Sequence, residues 1–313
     1  FHYIYNYLLC KYTNLYMIIR FFKITKLPQV ITASIVSLTF MFVLKNGHTS
    51  FNDFISLISL ISAFLLSLFI ISKNSILKNN QFTTLGLILF SGAYFRMPTD
   101  INIDISYIFL LLSIRRIYSL KSNKNISKKL FDVGFWLAIS CFFNPYNIFF
   151  LITVVLGIYF FYKINLKIIL KSICGFLAAT LLLLFYTSYT SLQTLNGDFI
   201  INYLDLSIIA LSADKASMNN DYFHWSFAVS SSILFIFYSF KYFGKNLSER
   251  IKNLFLLMFF LNSMILVLLI NEYSIFLFFP FLVTLIKIIS ELKMNLFIEM
   301  TILTIILINS YPF

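Results

Sequence analysis

Apolar residues run through this chain in long blocks separated by short polar stretches. The pattern lacks both the strict alternation of a half-buried strand and the one-sided period of a surface helix. The blocks fall at residues 27–44, 54–72, 82–95, 104–114, 131–143, 147–162, 170–190, 225–240, 253–271, 275–289 and 296–311. A helix that crosses the hydrocarbon layer of a bilayer needs about 20 residues. The fold class predicted is therefore all-α, a polytopic transmembrane helical bundle of about ten or eleven spans. Several blocks are short. Residues 82–95 and 104–114 read as two half-helices or one re-entrant hairpin. Residues 131–143 and 147–162 read the same way and meet at Asn144, Pro145 and Tyr146. Proline has no amide donor and disfavours helix just before it, which predicts a break there.

Basic residues give these blocks a direction. With the segment before Leu27 placed inside, the inner loops hold twenty Lys and Arg and the outer loops hold three: Lys45, Arg96 and Lys215. Lys and Arg concentrate in cytoplasmic loops, so the N-terminus is expected in the cytoplasm of a multi-pass inner-membrane protein. The acidic residues show the opposite bias. Asp53, Asp100, Asp104, Asp198, Asp205, Asp214, Asp221 and Glu272 fall outside, Asp132, Glu249 and Glu291 inside, and Glu299 lies within an apolar block.

The longest outer loop is 191–224. Within it, residues 198–213 read as an amphipathic helix lying in the membrane interface, with Asp198, Asn202, Asp205 and Ser212 on one arc. Tyr222 and Trp225 mark the outer edge of the next span, as interfacial aromatics do. Residues 17–313 read as a single transmembrane domain and residues 1–16 as an extra or disordered segment ahead of Met17.

Composition narrows the function classes. The chain is 60% hydrophobic and 12% charged, against about 25% charged in soluble domains. Its net charge of +12 sits in short loops between apolar blocks, which speaks for membrane orientation and against nucleic-acid binding. Cys10, Cys141 and Cys174 form no CxxC pair and read as small buried hydrophobes. No Walker A, GxGxxG, HExxH or GxSxG sequence is present, and His2, His48 and His224 are scattered.

A few residues could carry chemistry. Asp100 and Asp104 follow Pro98 and Thr99 and open a helix, where (i, i+4) spacing puts them on one face. Carboxylates at a helix start also serve its free amides and dipole. The sharper reading makes Asp53, Asp100 and Asp104 outer-face carboxylates for a divalent cation or for general-base work. Arg96 would meet a phosphate. The inner loop 115–130 is the densest run of charge, with Arg115 and Arg116 poised for anionic lipid or a lipid phosphate. Pro280 could kink its span, and Glu299 with Asn262 could line a polar cavity.

The stretch from Phe109 to Tyr162 carries Arg115, Arg116, Ser119, Leu120, Lys129, Leu130, Phe131, Asp132 and Trp136. With the opening MIIRFFKITKLP at Met17, it resembles an uncharacterised polytopic inner-membrane family of the Bacteroidota. More distantly it is similar to membrane glycosyltransferases that use polyprenyl-phosphate sugars. That likeness implies a role in cell-envelope biogenesis, with a lipid-linked sugar or glycan as partner and Asp53 in the short first outer loop, residues 45–53. Two other classes fit the composition: a non-catalytic subunit packed against a partner membrane protein, and a small-solute transporter dependent on Glu299.

Overall fold

The computed structural model describes residues 21–22, 25–45, 47, 49–76, 82–96, 100–162, 165–194, 229, 231–236, 246–269 and 274–291. Among them the α-helices are α1 (Leu27–Leu44), α2 (Phe51–Lys73), α3 (Thr83–Tyr94), α4 (Ile101–Ser119), α5 (Ile126–Phe143), α6 (Phe150–Phe161), α7 (Leu166–Thr194), α8 (Leu247–Leu269) and α9 (Phe278–Glu291). Short 3-10 turns cover Leu120–Ser122, Pro145–Phe149 and Ser274–Leu277. No strand occurs among the described residues. The chain divides into two compact units, Phe1–Thr99 with Val229–Lys241 and Phe278–Phe313, and Asp100–Ala228 with Tyr242–Leu277.

In the first unit α1 opens at Pro28, where a missing amide costs nothing because the first amides of a helix have no internal acceptor. Several hydroxyls of α1 and α2 bond back to their own helix. Ser37 donates to the Ala33 carbonyl, Ser59 to Ser56 and Ser67 to Ala63. This is how a hydroxyl is kept satisfied in an apolar setting without a partner helix.

α3 is wrapped on all sides: eleven of its twelve residues are buried. It begins at Phe82, whose backbone is left-handed (φ 62°, ψ 9°) and whose amide donates to the Phe22 carbonyl at 3.2 Å. α9 lies against it. Phe90 meets Phe278 at 4.6 Å between ring centroids, and a β-carbon on Gly86 would sit 3.4 Å from Leu282 Cγ. The hydroxyls of Thr83 and Thr84, both fully buried, have no hydrogen-bond partner among the described residues. Each such orphan costs about 1–3 kcal/mol.

The second unit is organised around α5. α4 and α5 form an antiparallel hairpin. Ser113 donates to the Val133 carbonyl at 3.0 Å, and Ser140 to the Ser106 carbonyl at 2.7 Å. Phe109 stacks on Trp136 and Phe143. The turn uses Asn123 and Asn125 in left-handed backbone (φ 51° and 52°), a conformation asparagine tolerates better than most residues. Lys129 closes it, its Nζ donating at 2.6 Å both to the Ser119 carbonyl and to Ser122 Oγ. A cation there suits the negative end of α4. Arg116 pairs with Asp132 at 2.9 Å across the same hairpin.

On its other side α5 meets α7, running parallel. A methyl group on Gly134 would collide with the Ser172 carbonyl oxygen, and one on Gly175 with the Phe131 carbonyl oxygen. The two backbones touch. α6 packs between α4 and α8, where a β-carbon on Gly157 would lie 2.6 Å from Phe255 Cε2 and 2.7 Å from Ile117 Cγ2. Tyr118 fills the space beside it, with Phe161 at 5.3 Å and Phe255 at 5.0 Å.

Four helical stretches, Leu27–Leu44, Phe51–Lys73, Leu166–Tyr186 and Leu247–Val267, are long and apolar enough to cross a membrane. Thr83–Tyr94, Pro145–Phe161 and Ile275–Ile289 are shorter and apolar. Leu170, Leu177 and Leu181 stand exposed along α7, as do Ile31 and Ile35 along α1. In water these faces would be a liability; in lipid they match the solvent. The apolar helices mark a membrane protein.

Several expected boundaries move. Residues 104–114 are the middle of a continuous 19-residue helix, and Arg115 and Arg116 lie inside α4 rather than in a loop. The partners Asp132 and Lys129 across the hairpin hold the helix on past the charges. The break at Pro145 stands as read, with Asn144 ending α5 and capping the next turn. Residues 296–311, the 198–213 helix and most of 225–240 lie outside the described residues. Cys141 is half-buried but Cys174 is exposed on α7, contrary to its reading as a buried hydrophobe.

Packing makes three predictions. Gly134→Leu or Gly175→Leu forces α5 and α7 apart and lowers stability by about 1–3 kcal/mol or more, read as a lower melting temperature in detergent. Gly86→Ala meets only ordinary contact and melts no earlier than the parent. The pair Thr83→Val and Thr84→Val removes two orphan hydroxyls at nearly constant shape, and each raises stability by about 1 kcal/mol.

Candidate functional site

Asp53 sits in the first turn of α2 and is 5% exposed. Its Oδ2 accepts from the Ser50 amide at 2.8 Å and from Ser50 Oγ at 2.7 Å, while the Asp53 amide donates back to Ser50 Oγ at 3.3 Å. Its Oδ1 faces Lys45 Nζ at 3.2 Å. This is a reciprocal cap with a neutralising cation, and it accounts for the residue without any ligand.

Arg96 is half-buried in the turn after α3, where burial pushes its guanidinium below the ordinary arginine value. Asp53 and Arg96 belong to the first unit; Asp100, Asp104, Arg115 and Arg116 belong to the second.

In the second unit Asp100 caps α4. Its Oδ1 accepts from the Asn102 amide at 2.8 Å, and the residue is exposed. Asp104, one turn on, is 2% exposed. The two carboxylates therefore differ in surroundings although they start one helix. Arg115 and Arg116 lie at the other end of α4, about 16 Å away at 1.5 Å per residue. Both are half-buried, and Arg116 is bound to Asp132. The expected carboxylates and arginines of this unit thus occupy opposite ends of one helix.

Around the break at Pro145 the sequence places more polar chemistry than its motifs suggested. Asn144 Oδ1 accepts from the Tyr146 amide at 3.2 Å, and Asn147 Nδ2 donates to Ser140 Oγ at 2.6 Å. Asn262 of α8 donates to the Phe149 carbonyl at 3.2 Å and to the Thr153 hydroxyl. Ser140 in turn bonds the Ser106 carbonyl, so this network shares an end of the unit with Asp104. Lone asparagines in apolar blocks were the available signal. Lys252 on α8 and Asp104 on α4 are both buried charged side chains. Glu299 lies outside the described residues, and the described residues contain no group of three or more His, Cys, Asp or Glu placed to hold a metal ion.

The cap at Asp53 makes a prediction. Asp53→Ala should cost about 1 kcal/mol, as loss of a helix cap does, seen as a lower melting temperature with the helical content retained.

Comparison with curated proteins and with solved structures finds no match. Residues 20–311 match a family described as a family of unknown function (DUF6427). Coverage of that extent takes in every helix described above, and the chain belongs to this family, DUF6427, whose function is unknown.

Proposed function

We propose that this chain is a multi-pass protein of a bacterial inner membrane that works in cell-envelope biogenesis by handling a lipid-linked sugar. The observation that carries the reading is Asp104, the most buried carboxylate of the described residues, at the same end of its unit as the Pro145 break. An ionisable group buried in a membrane helix bundle is costly to keep and points to function. Irregular backbone within an apolar segment is tolerated only where protein or a polar cavity surrounds it. A lipid-linked sugar brings its own apolar anchor, so only its head group needs polar recognition.

In this reading Asp104 takes the proton of an acceptor hydroxyl as that oxygen bonds the sugar's anomeric carbon. The bond from that carbon to the lipid phosphate breaks, and the phosphate leaves with the electron pair. A divalent cation at the carboxylate is the variant in which Asp104 binds metal rather than a proton.

A second reading is a non-catalytic subunit of a membrane complex. It draws support from Asp53 and Asp100, whose carboxylates are spent on helix starts. Asp104→Asn separates the two readings, because it removes charge and keeps shape. The catalytic reading expects lost envelope glycan or accumulated lipid-linked sugar at unchanged protein level, with Asp100→Asn near the parent. Unchanged glycans in the Asp104→Asn strain would sink it, and a companion protein co-purifying in constant ratio would favour the subunit.

A further inference from the structure

α5 and α7 lie side by side and point the same way. Lys171 Nζ donates to Ser127 Oγ at 2.7 Å, and the glycine contacts continue the same register farther along both helices. Their amino-terminal ends are therefore neighbours. Each such end presents free amides and about half a unit of positive charge, and two together repel unless something negative lies near.

The first turns of these two helices supply nothing negative, and Asn125 makes no side-chain cap on α5. The nearest carboxylate in sequence, Asp132, is engaged by Arg116. Lys124, Lys128, Lys167 and Lys171 are exposed and add charge of the same sign. Beyond the lysines the exposed surface turns apolar, with Leu170, Ile173 and Leu177 on α7 and Phe131 on α5.

We infer that this surface holds an anionic phospholipid. Its phosphate lies among Lys124, Lys128, Lys167 and Lys171 against the paired helix ends, and its acyl chains run down the exposed face of α7. A free phosphate would use only the lysines, and an acidic protein segment would leave the leucines uncovered. A lipid of negative head group matches both parts of the surface in the order in which they occur. The inference rests on the membrane reading above.

Cys174 provides the test, being exposed on α7 one turn beyond Lys171. The full chain with Cys10→Ser and Cys141→Ser is labelled there with a fluorophore. It is then reconstituted into vesicles of phosphatidylcholine with a minority of phosphatidylglycerol, the acyl chains of one lipid or the other carrying bromine as quencher. At equal fraction, brominated phosphatidylglycerol is expected to quench several-fold more than brominated phosphatidylcholine. Lys128→Gln with Lys171→Gln should abolish the preference, and Lys128→Arg with Lys171→Arg should keep it. Equal quenching by the two lipids in the parent overturns the inference, as does an undiminished preference in the glutamine variant. Absence of quenching by either lipid instead overturns the membrane reading itself.

Discussion

Inside a bilayer, apolar helices gain little by touching one another, because lipid tails are as apolar as leucine side chains. What holds them is close van der Waals contact, and close contact needs small residues. Gly134 and Gly175 provide it where α5 and α7 cross, each lying against a carbonyl of the other helix. The rest of the second unit is arranged about that seam. α5 turns one face to α7 and another to α4, where Ser113 and Ser140 donate across the hairpin. α6 then leaves α5 at a break and returns between α4 and α8.

That break is the other constraint. Pro145 interrupts a run of backbone that would otherwise satisfy itself. Asn144, Asn147, Ser140 and Asn262 form hydrogen bonds around the break. Such a network is costly if half satisfied and specific if complete. It also concentrates polar groups at the end of the unit where Asp104 is buried. The arginines expected in a loop lie at the opposite end of α4, where Arg116 pairs with Asp132.

The sequence made the interruption at Pro145 legible because proline acts locally, and Asp100 as a helix opener for the same reason. The run of α4 through Arg115 and Arg116 was not legible. Charge in a membrane protein ordinarily announces a loop, and only Asp132 and Lys129 across the hairpin reverse that reading. Burial of Asp104 was hidden because Asp100, its neighbour by spacing, is exposed. The glycine seam was hidden too: a glycine in an apolar run has no meaning until its partner helix is known. The reciprocal cap of Ser50 and Asp53 was hidden, since the acid was read as the end of an outer loop and the serine was not singled out.

The parallel course of α5 and α7 has a consequence for the order in which the protein is made. Antiparallel neighbours can meet as soon as a turn is complete, so α4 and α5 are able to close on each other while the chain is still emerging. Parallel neighbours cannot: α6 has to be made first, and Gly175 must follow it out of the ribosome before Gly134 has anything to touch. For that interval the bare glycine face of α5 is turned to lipid or to whatever insertion machinery attends it. A nascent chain halted between α6 and α7 would carry a finished hairpin with one unmatched side, and quality control in the membrane would have that side to recognise.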